Sequence, residues 1–266
     1  MNLQHATVSM GRRSPCIDQH GTTRPIVATI GEYPAGHHEP RHHHSRAQLL
    51  YACTGVMLVT TDSASFVVQP QRALWIPPGV EHEVFTRYQA STRCLYVSPS
   101  VSRDLPQSCR ATEVSPFMRE LIIEAAKAPA EYDAEGRDGL VMQLLLKELA
   151  SQHRADLHLP MPRNDRLVKV CRAILRDPAC NDVLEEWATT VGMPPRTFTR
   201  TFRRETGVSF ATWRQNARLM EAVSRLALGQ SIGTVAFDVG YGSASAFTAM
   251  FRRTFGVSPR SYLRTI

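Results

Sequence analysis

The chain has 266 residues, 43% of them hydrophobic, enough for two ordinary domains with cores of their own. Its formal charge is +7, and its six cysteines, at 16, 53, 94, 109, 171 and 180, include no Cys-x-x-Cys pair. That spacing argues against a disulfide framework or a zinc ribbon, and with no apolar run near the roughly 18 residues of a membrane span the chain reads as cytosolic.

The charge is lopsided. From Arg163 to Ile266, 16 Lys and Arg stand against 8 Asp and Glu, whereas residues 1–162 hold 15 against 16. The basic excess therefore lies in the C-terminal part, as a partner made of phosphates requires.

Residues 1–22 are polar, carry scattered Arg, Gly and Pro, have no signal-peptide apolar core, and read as a flexible leader. A sensor domain is expected over 23–110, where β-rich runs follow one another: Ala47 to Ala52, Val56 to Thr60, Phe66 to Val68, Ala73 to Ile76, Glu83 to Arg87 and Cys94 to Val97. Thr54-Gly55, Thr61-Asp62-Ser63 and Pro77-Pro78-Gly79 divide them at spacings near ten, which argues for a small β-sandwich or barrel.

Six of the ten histidines lie between His37 and His82. The run Gly36-x5-His42-x-His44-x3-Gln48-x6-Gly55, followed by Pro77-x-Gly79-x2-His82, resembles the two motifs of a cupin barrel. Gln48 stands where metal-binding cupins put Glu, and Gln71 where the second motif has its leading Gly. Residues two apart on a strand point the same way, so His42 and His44 are expected to meet His82 across the barrel. Three imidazoles with the Gln48 amide oxygen suit a divalent Zn, Ni or Fe ion. Three readings stay open: a metal, a pocket for an organic effector, or histidines with a structural role only. His37, His38 and His43 are assigned to a solvated loop, and Trp75 to the barrel core.

A helical pair is expected over 111–157. Ser115-Pro116 offers an N-cap followed by Pro at the first helical position, and Phe117, Leu121, Ile122 and Ala125 form a stripe. A second helix, about Arg137 to His153, carries Leu140, Leu144, Leu145 and Leu149. These stripes must be buried, on the barrel or against a second subunit. Residues 158–163, His-Leu-Pro-Met-Pro-Arg, read as a linker because each Pro stops helix propagation.

The C-terminal domain, 164–266, contains a duplication. Phe202-Arg203-Arg204-Glu205-Thr206-Gly207-Val208-Ser209 recurs 49 positions later as Phe251-Arg252-Arg253-Thr254-Phe255-Gly256-Val257-Ser258. Ahead of the copies stand Leu184, Trp187, Ala188 and Val191 before Gly192, and Ile232, Val235, Ala236 and Val239 before Gly240. Each copy is a helix-turn-helix: an apolar first helix, a Gly turn, and a second helix for the DNA major groove. Phe198 with Phe202, and Phe247 with Phe251, set the buried side of each second helix. Arg196, Thr199, Arg200 and Arg203 then face out from the first copy, and Ser245, Thr248, Ala249 and Arg252 from the second. Arg pairs with guanine O6 and N7, Thr, Ser and Ala offer hydroxyl or methyl contacts, and further arginines such as Arg204 and Arg253 suit phosphates.

Over residues 163–266 the chain resembles the AraC/XylS transcription regulators. The resemblance is carried above all by Val235-Ala236-Phe237-Asp238-Val239-Gly240-Tyr241, Phe247, Phe251-Arg252-Arg253, Gly256, Ser258-Pro259 and Tyr262. It implies two helix-turn-helix units joined by a long helix, about Phe210 to Leu228, behind a cupin-type effector domain. It also assigns base reading to Arg196, Thr199 and Arg200 and to Ser245, Thr248 and Ala249; the family often has a longer polar side chain where Ala249 stands. The fold expected is thus α+β in two domains: a cupin-like barrel, a helical pair and an all-α domain. The function expected is a non-enzymatic, ligand-responsive regulator of promoter DNA, a homodimer that meets RNA polymerase if it activates. A metal-dependent cupin dioxygenase or isomerase with a DNA-binding appendage is the alternative.

Overall fold

The computed structural model of the protein describes residues 22–70, 72–151 and 158–263. The leader apart from Thr22, Gln71, and the end expected for the second helix at His153 lie outside the described residues.

Ten strands form two five-stranded antiparallel sheets among the described residues. The first sheet runs β1 (Ile26–Tyr33), β8 (Ala90–Val97), β3 (Ala47–Thr54), β6 (Arg72–Ile76), β9 (Arg110–Glu113). The second runs β10 (His158–Pro160), β5 (Ala64–Val68), β4 (Met57–Thr61), β7 (His82–Thr86), β2 (His37–His42). No ladder joins them among the described residues, so the expected barrel is a sandwich of open sheets. A bulge between Glu39 and His42 bends the β2 edge, and the opposite edges end in the short β9 and β10. The sheets are held by the packing of Val27, Leu50, Met57, Phe66, Leu74, Val84 and Tyr96 between them.

Central strands are buried on both faces. Every residue of β5 is buried, as are the first six of β3. The outer side of the first sheet is covered by α1 (Pro116–Ala125) and α2 (Arg137–Ser151), through Met118, Ile122, Met142, Leu145 and Leu149 against Leu49, Tyr51, Trp75 and Leu95. Ser115 caps α1, accepting from the Met118 N–H at 3.1 Å. Of the expected stripes, Leu121, Ile122, Ala125, Leu145 and Leu149 do pack inward, whereas Phe117 (54% exposed), Leu140 (63%) and Leu144 (38%) face away from the sheet.

The outer side of the second sheet is covered by the C-terminal half. Val56, Val67, Leu159 and Met161 pack with Leu167, Val170, Ile174 and Trp213. The stretch read as a linker is therefore partly strand: β10 pairs with β5, Met161 N–H donates to Ser63 O at 2.8 Å, and Trp213 Nε1 donates to Pro160 O at 2.8 Å. Proline tolerates this place because β10 is an edge.

The C-terminal half is all helix: α3 (Asp165–Arg176), α4 (Leu184–Thr190), α5 (Pro195–Thr206), α6 (Phe210–Ala227), α7 (Ile232–Asp238), α8 (Ala244–Phe255) and α9 (Pro259–Tyr262). Phe198, Phe202, Phe247 and Phe251 are fully buried. The first pair meets Phe210 and Trp213 edge-on, and the second packs with Leu219, Val223, Leu226 and Tyr262. Glu205, at the end of α5, accepts the backbone N–H groups of Arg163 and Asn164, both at 2.9 Å, and so ties that helix to the start of α3. No described helix is long and apolar enough to cross a membrane.

The turns between the paired helices need left-handed backbone, with φ of 62° at Gly192 and 83° at Gly240. A Cβ at Gly240 would also lie 2.8 Å from Arg218 Nη2. That guanidinium cannot step aside, because it donates to the carbonyls of Pro178, Cys180 and Gly240 and to the Asn181 side chain. Gly207 is the control, since its φ is 77° and nothing lies within 4 Å of its added Cβ. In urea unfolding, Gly207→Ala is expected to cost about 1–2 kcal/mol for the left-handed backbone alone, and Gly240→Ala distinctly more.

Candidate nucleic-acid interface and histidine site

The second helices of the two units, α5 and α8, bury their phenylalanines and leave the other side to solvent. Arg196, Thr199, Arg200, Arg203 and Arg204 are exposed on α5, as are Ser245, Ala249, Arg252 and Arg253 on α8, while Thr248 is half-buried. The Thr199 hydroxyl donates to its own helix, reaching the Pro195 and Arg196 carbonyls at 3.1 Å each. The Arg204 guanidinium sits 3.4 Å from Glu205, and Arg253 reaches the Met250 sulfur at 3.2 Å. The two surfaces differ in charge: α5 offers four arginines, α8 two near its C-terminal end with small side chains before them.

In the sandwich, His42, His44 and His82 come together at one mouth between the sheets, with one ring nitrogen of each within 4.8 Å of the others. His42 closes β2 and lies in register with His82, the first residue of β7. His44 is past the end of β2 rather than two along a strand, and His37 and His38 lie on β2 instead of in a loop. His44 reaches the site because its carbonyl accepts the Gly79 N–H at 2.8 Å, which ties it to the turn before β7. His43 is exposed.

The ring tautomers follow from the partners. His42 Nδ1 lies 2.8 Å from Pro40 O, and His82 Nδ1 lies 3.0 Å from Val80 O. A carbonyl only accepts, so each Nδ1 carries a proton, and it is Nε2 that can offer a lone pair from the neutral ring. Neither Nε2 has a hydrogen-bond partner among the described residues. Burial, with the His42 ring beside it, holds the His82 imidazole below its ordinary range and favours the neutral form. Gln48, buried on β3, donates through Nε2 to the Tyr96 hydroxyl at 3.3 Å, and the Tyr96 ring meets His44 edge-on. It belongs to the wall of the site.

Sequence reasoning missed Glu39. This side chain is 7% exposed and its Oε1 lies 3.8 Å from His42 Nε2, so a buried carboxylate stands beside the rings although position 48 is an amide. The signal was weak: Glu39 sits on a polar strand that reads as loop. Three convergent imidazoles, two of them with Nδ1 held by a backbone carbonyl, with a carboxylate adjacent, form a donor set suited to a borderline divalent ion.

A double helix-turn-helix with arginine-bearing second helices, joined to a β-sandwich with a polar internal site, defines a DNA-binding transcription regulator with a ligand-binding domain. A helix-turn-helix domain model matches residues 187–265, and a model of the AraC-like ligand binding domain matches 25–149. The HTH-type transcriptional regulator NimR of Escherichia coli is 34% identical over 224 residues, 84% of this chain and 82% of that protein. The arabinose operon regulatory protein of Salmonella typhimurium is 25% identical over 228 residues, 78% of this chain and 80% of that protein. The chain belongs to the AraC family of transcription regulators. The solved structure of ToxT from Vibrio cholerae with a bound unsaturated fatty acid covers 91% of this chain and 96% of its own, at 12% identity and a TM-score of 0.38.

Proposed function

We propose that this regulator senses a divalent transition metal, of which Zn, Ni and Fe are the candidates, at His42, His44 and His82. One observation carries the reading: three buried or half-buried rings converge, and two of them have their protonated nitrogens committed to backbone carbonyls. Glu39 supplies the negative charge that Gln48 does not. The likeness to transcription regulators favours sensing over catalysis, and the protein is read as a cytoplasmic regulator and not as an enzyme. Dialysed protein exposed to Zn(II) or Co(II) is expected to take up about one ion per chain, with the intense absorption of a tetrahedral cobalt site. His42→Gln with His82→Gln abolishes uptake, and Glu39→Gln weakens it about 10–100-fold; unchanged stoichiometry in the double variant overturns the assignment.

On DNA, Arg196, Thr199 and Arg200 read bases from α5, and Ser245, Thr248 and Ala249 make lighter contacts from α8. Arg203, Arg204, Arg252 and Arg253 hold phosphates. The double-stranded site is then read more sharply by the first unit, because only there do guanidiniums occupy the reading positions. Arg200→Ala is expected to cost about 1–3 kcal/mol at the cognate site and little on random duplex, whereas Arg204→Ala weakens both alike and lowers the salt slope by about one. Equal losses on both duplexes for Arg200→Ala leave it a phosphate contact.

The exposed Phe117 of α1 and Leu140 and Leu144 of α2, the last two one helical turn apart, are read as a homodimer surface, because large apolar side chains left in solvent favour a partner. Leu140→Arg should turn a dimer into a monomer in sedimentation velocity without lowering the melting temperature of the domain. Contact with RNA polymerase follows if the protein activates.

A further inference from the structure

We infer that Arg87, at the far end of the strand that begins with His82, is the residue through which the DNA-binding half responds to occupancy of the histidine site. The inference rests on the metal-sensing reading above and concerns how that site is coupled to DNA.

Strand β7 faces both ways along its length. Its first residue, His82, belongs to the histidine site, and its second, Glu83, lies 3.4 Å from Arg172 of α3. Arg87 follows the last, roughly 16 Å from His82 at the rise of an extended chain. Its guanidinium donates to the Arg176 carbonyl at 2.8 Å and the Leu175 carbonyl at 3.3 Å, at the end of α3. It also donates to Glu221 Oε1 of α6 at 3.1 Å. Glu221 accepts from Arg225 Nε at 2.9 Å, and Arg225 reaches Asp238 of α7. A continuous polar chain thus runs from the sensor strand, through the helix that joins the two helix-turn-helix units, into the second unit.

The packing around this chain makes β7 the movable edge. On the β5 and β10 side, the sensor and the first unit share one apolar core. Beside β7 there is instead an open cleft of about 410 Å³ between the halves, whose lining includes Leu58, Thr60, Glu83, Phe85, Arg172 and Arg176. Discrete polar contacts bordering a cleft can re-form in a second arrangement at small cost, whereas a dense apolar seam cannot. With three rings drawn onto one ion, β7 is fixed at its His82 end to β2 and to the segment leading into the other sheet. The position of Arg87, and so the mutual setting of α3, α6 and α7, is fixed with it.

The test uses the full chain, a duplex selected from random DNA, and Zn(II) as the only added ligand. DNA affinity is measured by fluorescence anisotropy with chelator and with Zn(II), and metal uptake is measured separately by competition with Co(II). The wild-type dissociation constant is expected to differ about 5–150-fold between the two conditions. Arg87→Gln and Glu221→Gln are expected to take up Zn(II) as the wild type does, within about a factor of two, while the ratio of DNA affinities falls below about two. Arg87→Gln removes the contacts of a half-buried guanidinium and Glu221→Gln the charge of a mostly buried carboxylate, and either variant alone suffices if the other unfolds. A wild-type ratio retained in both variants overturns the inference. Metal uptake by the wild type without any change in DNA affinity overturns it too, and leaves the metal site standing. Absence of metal uptake by the wild type overturns the sensing reading itself, and this inference with it.

Discussion

The architecture depends on a covering problem. Each sheet of the sandwich has an inner face, which the other sheet buries, and an outer face with apolar side chains that must be kept from water. Burying a side chain of the size of Val, Leu or Met stabilises by about 1.5–3 kcal/mol, so neither outer face can be left bare. The first sheet is covered by α1 and α2. The second is covered by the first helix-turn-helix unit, which shares a core with Val56, Val67, Leu159 and Met161. The sensor and the first reading unit are therefore one folding problem. The second unit has a core of its own, around Phe247 and Phe251, and meets the sensor through polar contacts such as that of Gln69 with Tyr262.

This division of labour matches the chemistry of the two halves. On the metal reading proposed above, a site made by three histidines from two strands and a loop would be sensitive to small displacements of those elements, since ligand distances tolerate only a few tenths of an ångström. A double reader of DNA is sensitive to the relation between its two recognition helices. In the coupling inferred above, β7 stands between these two requirements, while the β5 and β10 side of the interface is a shared apolar core.

Much of this was legible in the sequence. The duplicated phenylalanines fixed both helical cores, because a repeat at a constant offset tests periodicity twice. The cupin-like spacing brought His42, His44 and His82 to one place even though His44 lies beyond the strand, because the turn at Gly79 holds it there. What escaped has physical causes. The polar run of β2 carries no hydrophobic alternation, since it is an edge strand beside a solvated loop, and Glu39 escaped with it. In α1 and α2 apolar residues occupy more than one face, so periodicity alone did not select Met118 and Met142 over Phe117 and Leu140 as the inward set. Strand β10 was hidden by Pro160 and by Pro162 just beyond it, which end helices but do not prevent a short edge pairing. Closure of the barrel was undecidable too, because a β-rich run spaced near ten residues suits open and closed sheets alike.

The pairing of β10 with β5 sets where this chain can be cut and rejoined. A sensor fragment ending before residue 158 would bare both the β5 edge and the apolar patch around Val67, an invitation to strand-to-strand aggregation. Grafting the sensor onto a foreign reading head would meet the same obstacle, because the outer sheet would lose its lid. Chimeras of this regulator are better spliced within α6, after the first unit, so that the sensor keeps its cover and only the second reader is exchanged.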